Sequence, residues 1–269
     1  MVGMIRWGLL VMGLVWAGSL SAEVIRFGVV PQQSASTLAK NWAPLCRWLS
    51  EQTGLTVRFE TAPNIPEFEQ RLAEGRYQLA YMNPYHYTQF AGQPGYQALA
   101  RSEGKQLQGI LVVRRDSELA DLSQLQGQPL AFPSPGAFAA SMVVRGELSQ
   151  QGIPFTAHYV ASHDSVYQSV AAGLYPAGGG IIRTFNTSEV APQLKILWRS
   201  AGYPPHAIAT HSDLAPELRE VLGQALLAMG QDPSGRAILA PLAMSGFEQA
   251  QDSDWDPVRR LTEQTELME

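Results

Sequence analysis

Cysteine is almost missing from this chain: Cys46 stands alone, so no intrachain disulfide can form. Leu45, Trp48 and Leu49 accompany it at helical spacing, which predicts a buried structural thiol, because a reactive one needs an electropositive, accessible setting. Metal-ligand spacings are absent as well. The five histidines form no His-x-x-x-His pair and there is no Cys-x-x-Cys, so the common zinc frameworks are excluded. Neither Gly-x-Ser-x-Gly nor Gly-x-x-x-x-Gly-Lys-Ser/Thr occurs, which removes the hydrolase elbow and the phosphate-binding loop of nucleotide enzymes. Clustered positive charge is lacking too. Arg114-Arg115 and Arg259-Arg260 are the longest cationic runs, and the formal net charge is -5, a poor balance for a nucleic-acid partner.

What is present begins at the N-terminus. Met1 to Arg6 carries one positive charge, Trp7 to Gly18 is an unbroken apolar run, and Ser19, Leu20, Ser21 and Ala22 supply small residues. This order predicts a signal peptide over residues 1–22, cleaved near Ala22, and export to the periplasm. The run is short for a membrane span, which needs about 20 residues; an uncleaved anchor is the other reading. No cysteine follows it, so no lipid-modified N-terminus is expected. The remaining chain has the length of one large or two modest domains, and its hydrophobic fraction of 45% is ample for a buried core.

Strands and helices alternate along the mature chain. Val24–Val30 is β-branched and apolar and reads as a buried strand. A helix follows with Leu38, Trp42, Leu45, Trp48 and Leu49 on one face, stopped at Gly54. Leu55–Thr61 and Tyr77–Met82 read as strands around a helix that ends at Gly75, a capping glycine. Pro84–Phe90 is a short helix, and Tyr96–Arg101 and Gly109–Arg114 are strands. A second unit repeats the alternation: a short helix over Asp121–Leu125, a strand over Leu130–Phe132, a helix from Gly136 to about Ser149, a strand over Phe155–Val160 and a helix over Asp164–Ala172 capped by Gly173. Lys195–Arg199 returns as a strand, and Pro216–Met229, Ser234–Leu239 and Asp256–Met268 are helical.

The halves echo one another, in Leu72-Ala-Glu-Gly-Arg-Tyr77 and Val170-Ala-Ala-Gly-Leu-Tyr175. The pattern predicts an α/β fold of two lobes, each a mostly parallel sheet flanked by helices. Lobe 1 is expected over 23–110 plus 205–269 and lobe 2 over 111–204. The chain then crosses twice, through Gly109–Val113 and Leu197–Tyr203, and two crossings make a hinge. Ligands of such sheets bind beyond the carboxyl ends of the strands.

Four stretches carry a resemblance to a known family. They are Tyr81-Met-Asn-Pro-Tyr-His-Tyr87, Asp121-Leu-Ser-Gln-Leu-Gln-Gly127 ahead of Leu130-Ala-Phe-Pro-Ser134, Ser162-His163-Asp164-Ser165-Val166, and Gly173-Leu-Tyr-Pro-Ala-Gly-Gly-Gly-Ile-Ile-Arg-Thr-Phe185. In this order they resemble the substrate-binding components of phosphate/phosphite/phosphonate ABC transporters, over about residues 24 to 265. The resemblance implies the type 2 periplasmic-binding fold and an oxyanion held at the start of the helix after the second lobe's first strand. The matching segment is Pro133 to Ser141. Its hydroxyls are Ser134 and Ser141, and the amides of Ala137, Phe138 and Ala139 stand at a helix start, where N–H groups lack partners and the dipole favours an anion. A plain helix start without ligand is the alternative.

His163 matches the family's binding histidine and is expected to donate a charge-assisted hydrogen bond; otherwise it fixes its loop beside the helix cap. Tyr81, Asn83 and Tyr85 follow the third strand, where aromatic rings with polar tips suit a ligand site, and Tyr87 fits either that loop or the core. Many relatives carry an aspartate three residues after the capping glycine in both lobes. Gln78 and Pro176 stand there instead, so the partner for an ammonium group is missing and a small anion is expected rather than an aminoalkylphosphonate. The implied partners are a small anionic ligand and the membrane permease of an ABC transporter, with a membrane sensor such as a histidine kinase as the alternative. A monomer is expected, with no metal, no cofactor and no catalytic residue, since the cleft is poor in carboxylates and Cys46 is placed in the core.

Overall fold

The computed structural model describes residues 24–92 and 95–266; the expected leader, residues 1–22, lies outside them. Strand β1 (Val24–Val29) is buried over most of its length, which its apolar run demands, and it pairs in parallel with both β2 (Thr56–Thr61) and β3 (Leu79–Met82). Helix α1 (Ala35–Thr53) crosses between β1 and β2. The Ser34 hydroxyl accepts from the amide of Thr37 at its start, and Gly54 ends it in the left-handed region (φ 72°), which a glycine enters without strain. Its buried face carries Leu38, Trp42, Leu45, Trp48 and Leu49. Cys46 lies with them, and burial pushes its thiol up to about 12, so it packs as a small apolar group.

Helices α2 (Ile65–Ala73) and α3 (Pro84–Phe90) flank β3, and β4 (Tyr96–Ser102) follows with alternating burial. The chain then builds a second sheet from β5 (Gly109–Arg114), β6 (Pro129–Phe132), β7 (Thr156–Tyr159), β8 (Ala177–Ile181) and β9 (Leu194–Arg199), in the order β7-β6-β8-β5-β9. Between these strands lie a π-helix (Phe138–Val143) that runs on into α4 (Val144–Gln150), then α5 (His163–Ala171) and α6 (Ile182–Asn186). The chain returns through β10 (Ala207–His211), which inserts antiparallel between β3 and β4, and ends with α7 (Pro216–Ala228), α8 (Pro233–Leu239), β11 (Phe247–Gln249) and α9 (Asp256–Glu266). The first sheet is ordered β11-β4-β10-β3-β1-β2. Two α/β lobes joined by two crossings result.

Several expectations shift. Gly109–Arg114 belongs wholly to the second sheet, so the first crossing precedes it; Leu107 and Tyr203 exchange backbone hydrogen bonds of 2.8 and 2.9 Å where the two crossing segments run side by side. Leu197–Arg199 is likewise the end of β9, and the second crossing follows it. Strands β8, β10 and β11 escaped sequence reading. In β8 the reason is physical: its sequence Ala-Gly-Gly-Gly-Ile has little strand propensity. Its glycines admit close neighbours instead, since a Cβ at Gly178 would meet Val166 and one at Gly179 would meet the carbonyl of Ala140.

The internal echo has a common cause. Gly75 and Gly173 each close a helix in the left-handed region, at φ 62° and 74°. Each donates to the carbonyl three residues back (Leu72 and Val170), while the next amide reaches five back (Arg71 and Ser169), the paired bonds of a Schellman cap.

Candidate functional site

Segments that follow carboxyl ends of strands in both lobes meet between the lobes, beside the two crossing segments. Gln32 and Gln33 follow β1 and Asn83 follows β3; from the other lobe, Ser134 to Ser141 follow β6, His163 follows β7, and Arg183 follows β8. The loops close on one another. Asn83 caps α3 by accepting from the amide of His86 at 2.8 Å, and its Nδ2 donates to the carbonyl of Gly136 in the opposite lobe at 3.0 Å. The amide of His163 donates to the carbonyl of Gln32 at 2.9 Å, and the amide of Ser34 donates to the carboxylate of Asp164 at 3.2 Å. His86 is fully buried and donates from Nε2 to Glu69 at 3.0 Å on the same rim. The space left at the centre is ≈ 10 Å³, lined by residues including Gln32, Asn83, Ala137, His163 and His206. A water needs about 10–15 Å³, so any larger guest requires the lobes to part.

The segment after β6 does not begin a regular α-helix. The amides of Ser141 and Met142 both donate to the carbonyl of Ala137, at 2.7 and 3.4 Å, and this wide turn opens the π-helix. Single π-turns of this kind gather at functional sites. No side chain caps Ala137, and the amides of Phe138, Ala139 and Ala140 find no acceptor among the described residues. The turn seats deeply because Gly109 and Gly179 offer no Cβ against the carbonyls of Ala139 and Ala140. The hydroxyls of Ser134 and Ser141 are buried and have no hydrogen-bond partner among the described residues. Buried polar atoms are normally paired, so these two mark a place arranged for something else.

Arg183 brings positive charge to the edge of the gap. Arg183 is half-buried and donates to the side-chain oxygen of Gln32 across the gap. Its guanidinium carbon sits 6.0 Å from the centre of the Tyr81 ring, and no carboxylate pairs with it among the described residues. The same Gln32 donates from Nε2 to His206 Nε2 at 2.9 Å, and His206 stacks on Tyr81 with centroids 4.9 Å apart. Burial, reinforced by the Arg183 charge, holds His206 well below the usual histidine range and pushes His163 down to about 3. Both rings are therefore neutral, and Arg183 carries the positive charge.

The expected residues divide. Asn83, Ala137, Phe138, Ala139 and His163 line the central gap, and Tyr81 lines the larger cavity beside it. Ser134 and Ser141 are buried in the segment that forms the gap's wall. Tyr85 lines neither cavity; it is half-buried on α3 with its ring 6.5 Å from that of His86. Tyr87 packs in the core against Trp255 at 4.5 Å and donates to Asp252. Phe138 turns its ring onto Tyr203 of the crossing segment at 5.2 Å, so only its backbone is placed to meet an anion. His163 has its Nδ1 3.1 Å from the Thr184 hydroxyl, and its burial beside Arg183 favours the neutral ring, which can still donate a charge-assisted hydrogen bond to an anion. Arg183, Gln32 and His206 were not singled out from sequence. Arg183 stood inside the Gly173–Phe185 stretch, where a lone arginine just after a glycine-rich strand was the available signal.

Comparison with known proteins agrees with this geometry. The family model described as "ABC transporter, phosphonate, periplasmic substrate-binding protein" matches residues 27–255, so the chain belongs to that family. The "Phosphate-import protein PhnD" of Mycolicibacterium smegmatis is 23% identical over 236 residues, covering 74% of this chain and 70% of that protein. Among solved structures, a binding protein component of an ABC phosphonate transporter from Pseudomonas aeruginosa superposes with a TM-score of 0.81 at 20% identity, over 89% of this chain and 85% of that one. PhnD1 from Prochlorococcus marinus, solved in complex with methylphosphonate, gives 0.82 at 17% identity, over 90% and 98%. The two-lobed type 2 periplasmic-binding fold follows, as does a role as the substrate-binding component of an ABC transporter.

Proposed function

We propose, from family membership and the chemistry of the cleft together, that this protein captures a small phosphorus oxyanion between its lobes and delivers it to its permease. Phosphate, phosphite and short alkylphosphonates are the ligand class. One observation carries the reading: Arg183, a half-buried cation that pairs with no carboxylate among the described residues, reaches Gln32, which lines the gap together with the backbone of the π-helix start. Taking a cation out of water costs several kcal/mol unless it is compensated, and an oxyanion is the group that satisfies the cation and the amides at once. His163 and Asn83 contribute hydrogen bonds from neutral side chains. Gln78 and Pro176 leave an ammonium group without the acid that many relatives offer it, which favours ligands lacking an amine.

The protein acts in the periplasm as a monomer after cleavage near Ala22, and leaves its ligand chemically unchanged. The lobes part to admit the anion and close over it, with the Leu107–Tyr203 pair at the crossing. A thermal-shift screen across phosphate, phosphite, methylphosphonate, 2-aminoethylphosphonate and sulfate, followed by titration calorimetry of the hits, tests the ligand class. Stabilisation by one or more phosphorus oxyanions, with one ligand per chain and no turnover, is expected; no response to any of them at millimolar concentration overturns the reading.

A further inference from the structure

Beside the central gap lies a larger cavity of ≈ 160 Å³, and the two share Leu107 and His206 as a common wall. Both lobes and both crossing segments contribute to it. Its charged lining is entirely cationic: Lys105 comes from the first crossing, Arg183 comes from the second lobe, and no carboxylate is among the lining residues. The side-chain amides of Gln106, Gln108 and Asn186 add donors. Ser102, at the end of β4, also lines it; this residue is 7% exposed and its hydroxyl has no partner among the described residues. The shared wall of Leu107 and His206 puts this space next to the gap in which the oxyanion is proposed to sit.

We infer that the cavity is a subsite for the substituent of the ligand and that it takes a second anionic group, making a carboxyalkylphosphonate the preferred ligand. This rests on the oxyanion reading above and sharpens it. A liquid water occupies about 30 Å³, so the volume admits a carboxymethyl or carboxyethyl group with some of its hydration. Two cations and several amide donors around a carboxylate form charge-assisted hydrogen bonds, which are stronger than those of a neutral substituent. A methyl group would leave Lys105 and Ser102 unused, and an ammonium group would meet two like charges.

Titration calorimetry at pH 7.5 with phosphonoacetate, methylphosphonate and 2-aminoethylphosphonate decides the matter, on the wild type and on Lys105→Gln and Ser102→Ala. Phosphonoacetate is expected to bind about tenfold or more tighter than methylphosphonate, and 2-aminoethylphosphonate more weakly than either. Lys105→Gln and Ser102→Ala should each shrink the phosphonoacetate advantage severalfold and leave methylphosphonate affinity unchanged. Equal or tighter binding of methylphosphonate, or an advantage untouched by both variants, overturns the subsite while the oxyanion reading stands. Failure of all three to bind also overturns the subsite; the oxyanion reading falls only if phosphate and phosphite fail as well.

Discussion

The guanidinium of Arg183 and the side-chain oxygen of Gln32 meet across the interlobe gap, Gln32 on the loop after β1 and Arg183 in α6 directly after β8. Gln32 spends its amide hydrogen on His206, which orders the contact: the cation faces an oxygen acceptor, and the histidines beside it are held neutral. An amide oxygen carries only a partial negative charge. An oxyanion in that position would be a stronger partner, so the Arg183–Gln32 bond is the contact a ligand is expected to replace.

The orphaned hydroxyls separate binding from stability. Leaving a buried polar atom unsatisfied costs about 1–3 kcal/mol, so Ser141→Ala is expected to leave the melting temperature of the unliganded protein unchanged or raised. The same variant should weaken oxyanion affinity by about 0.5–1.5 kcal/mol, one hydrogen bond's worth. A variant that lowers stability and leaves affinity intact would make Ser141 a structural residue.

The buried histidines set an acid limit. The folded-state value of His163, about 3, lies below the unfolded value of about 6.5, so protonation favours the unfolded chain. Nothing is lost above about pH 6.5, and stability falls as pH drops from there toward 3, by up to about 1.4 kcal/mol per pH unit for this group. His206 is displaced in the same direction. Denaturant melts of wild type and His163→Asn between about pH 6 and pH 4 should diverge, with the variant shallower; parallel curves would contradict the neutral, buried ring.

Close packing of the π-helix on β8 predicts a large effect from one methyl group. Gly179→Ala drives a Cβ into the carbonyl of Ala140, and overpacking of this kind costs about 1–3 kcal/mol or more. A melting temperature several degrees lower and weaker oxyanion binding are both expected, because Ala140 belongs to the segment that offers its amides. An unaltered melt would show that the turn has room to move.

Asn83 is one of the side-chain donors that bridge the lobes. Asn83→Asp keeps the acceptor that caps α3, but replaces the donor to Gly136 with a carboxylate that faces a carbonyl and stands near Glu69. Small-angle scattering should report a larger radius of gyration than for the wild type at unchanged helicity. Superimposable scattering curves would remove Asn83 from the closure.

The sequence was legible where local rules act strongly. The apolar run of β1, the amphipathic face of α1 and the two glycine caps at Gly75 and Gly173 needed only propensity and periodicity. Strand β8 hid behind three glycines whose role is set by neighbours distant in sequence, namely Val166 and the carbonyl of Ala140. The π-turn at Ala137 was unreadable for the same reason. At the site, the Pro133–Ser141 segment and His163 were picked out by the family resemblance and Asn83 by its place after the third strand, and the fold brings all three to the interlobe gap. Arg183 was missed because its importance is a deficit, the lack of a nearby carboxylate, which appears only once the chain is folded.

The central claim is that an oxyanion is held between the lobes by Arg183. Calorimetric titration of methylphosphonate and of phosphate into wild type and Arg183→Gln tests it most directly. Loss of a charge-assisted bond of about 1.5–3 kcal/mol predicts affinity lower by roughly 10- to 150-fold in the variant for whichever anion binds the wild type, with no fall in its unliganded melting temperature. Equal affinity in the two proteins would place the anion elsewhere and contradict this account.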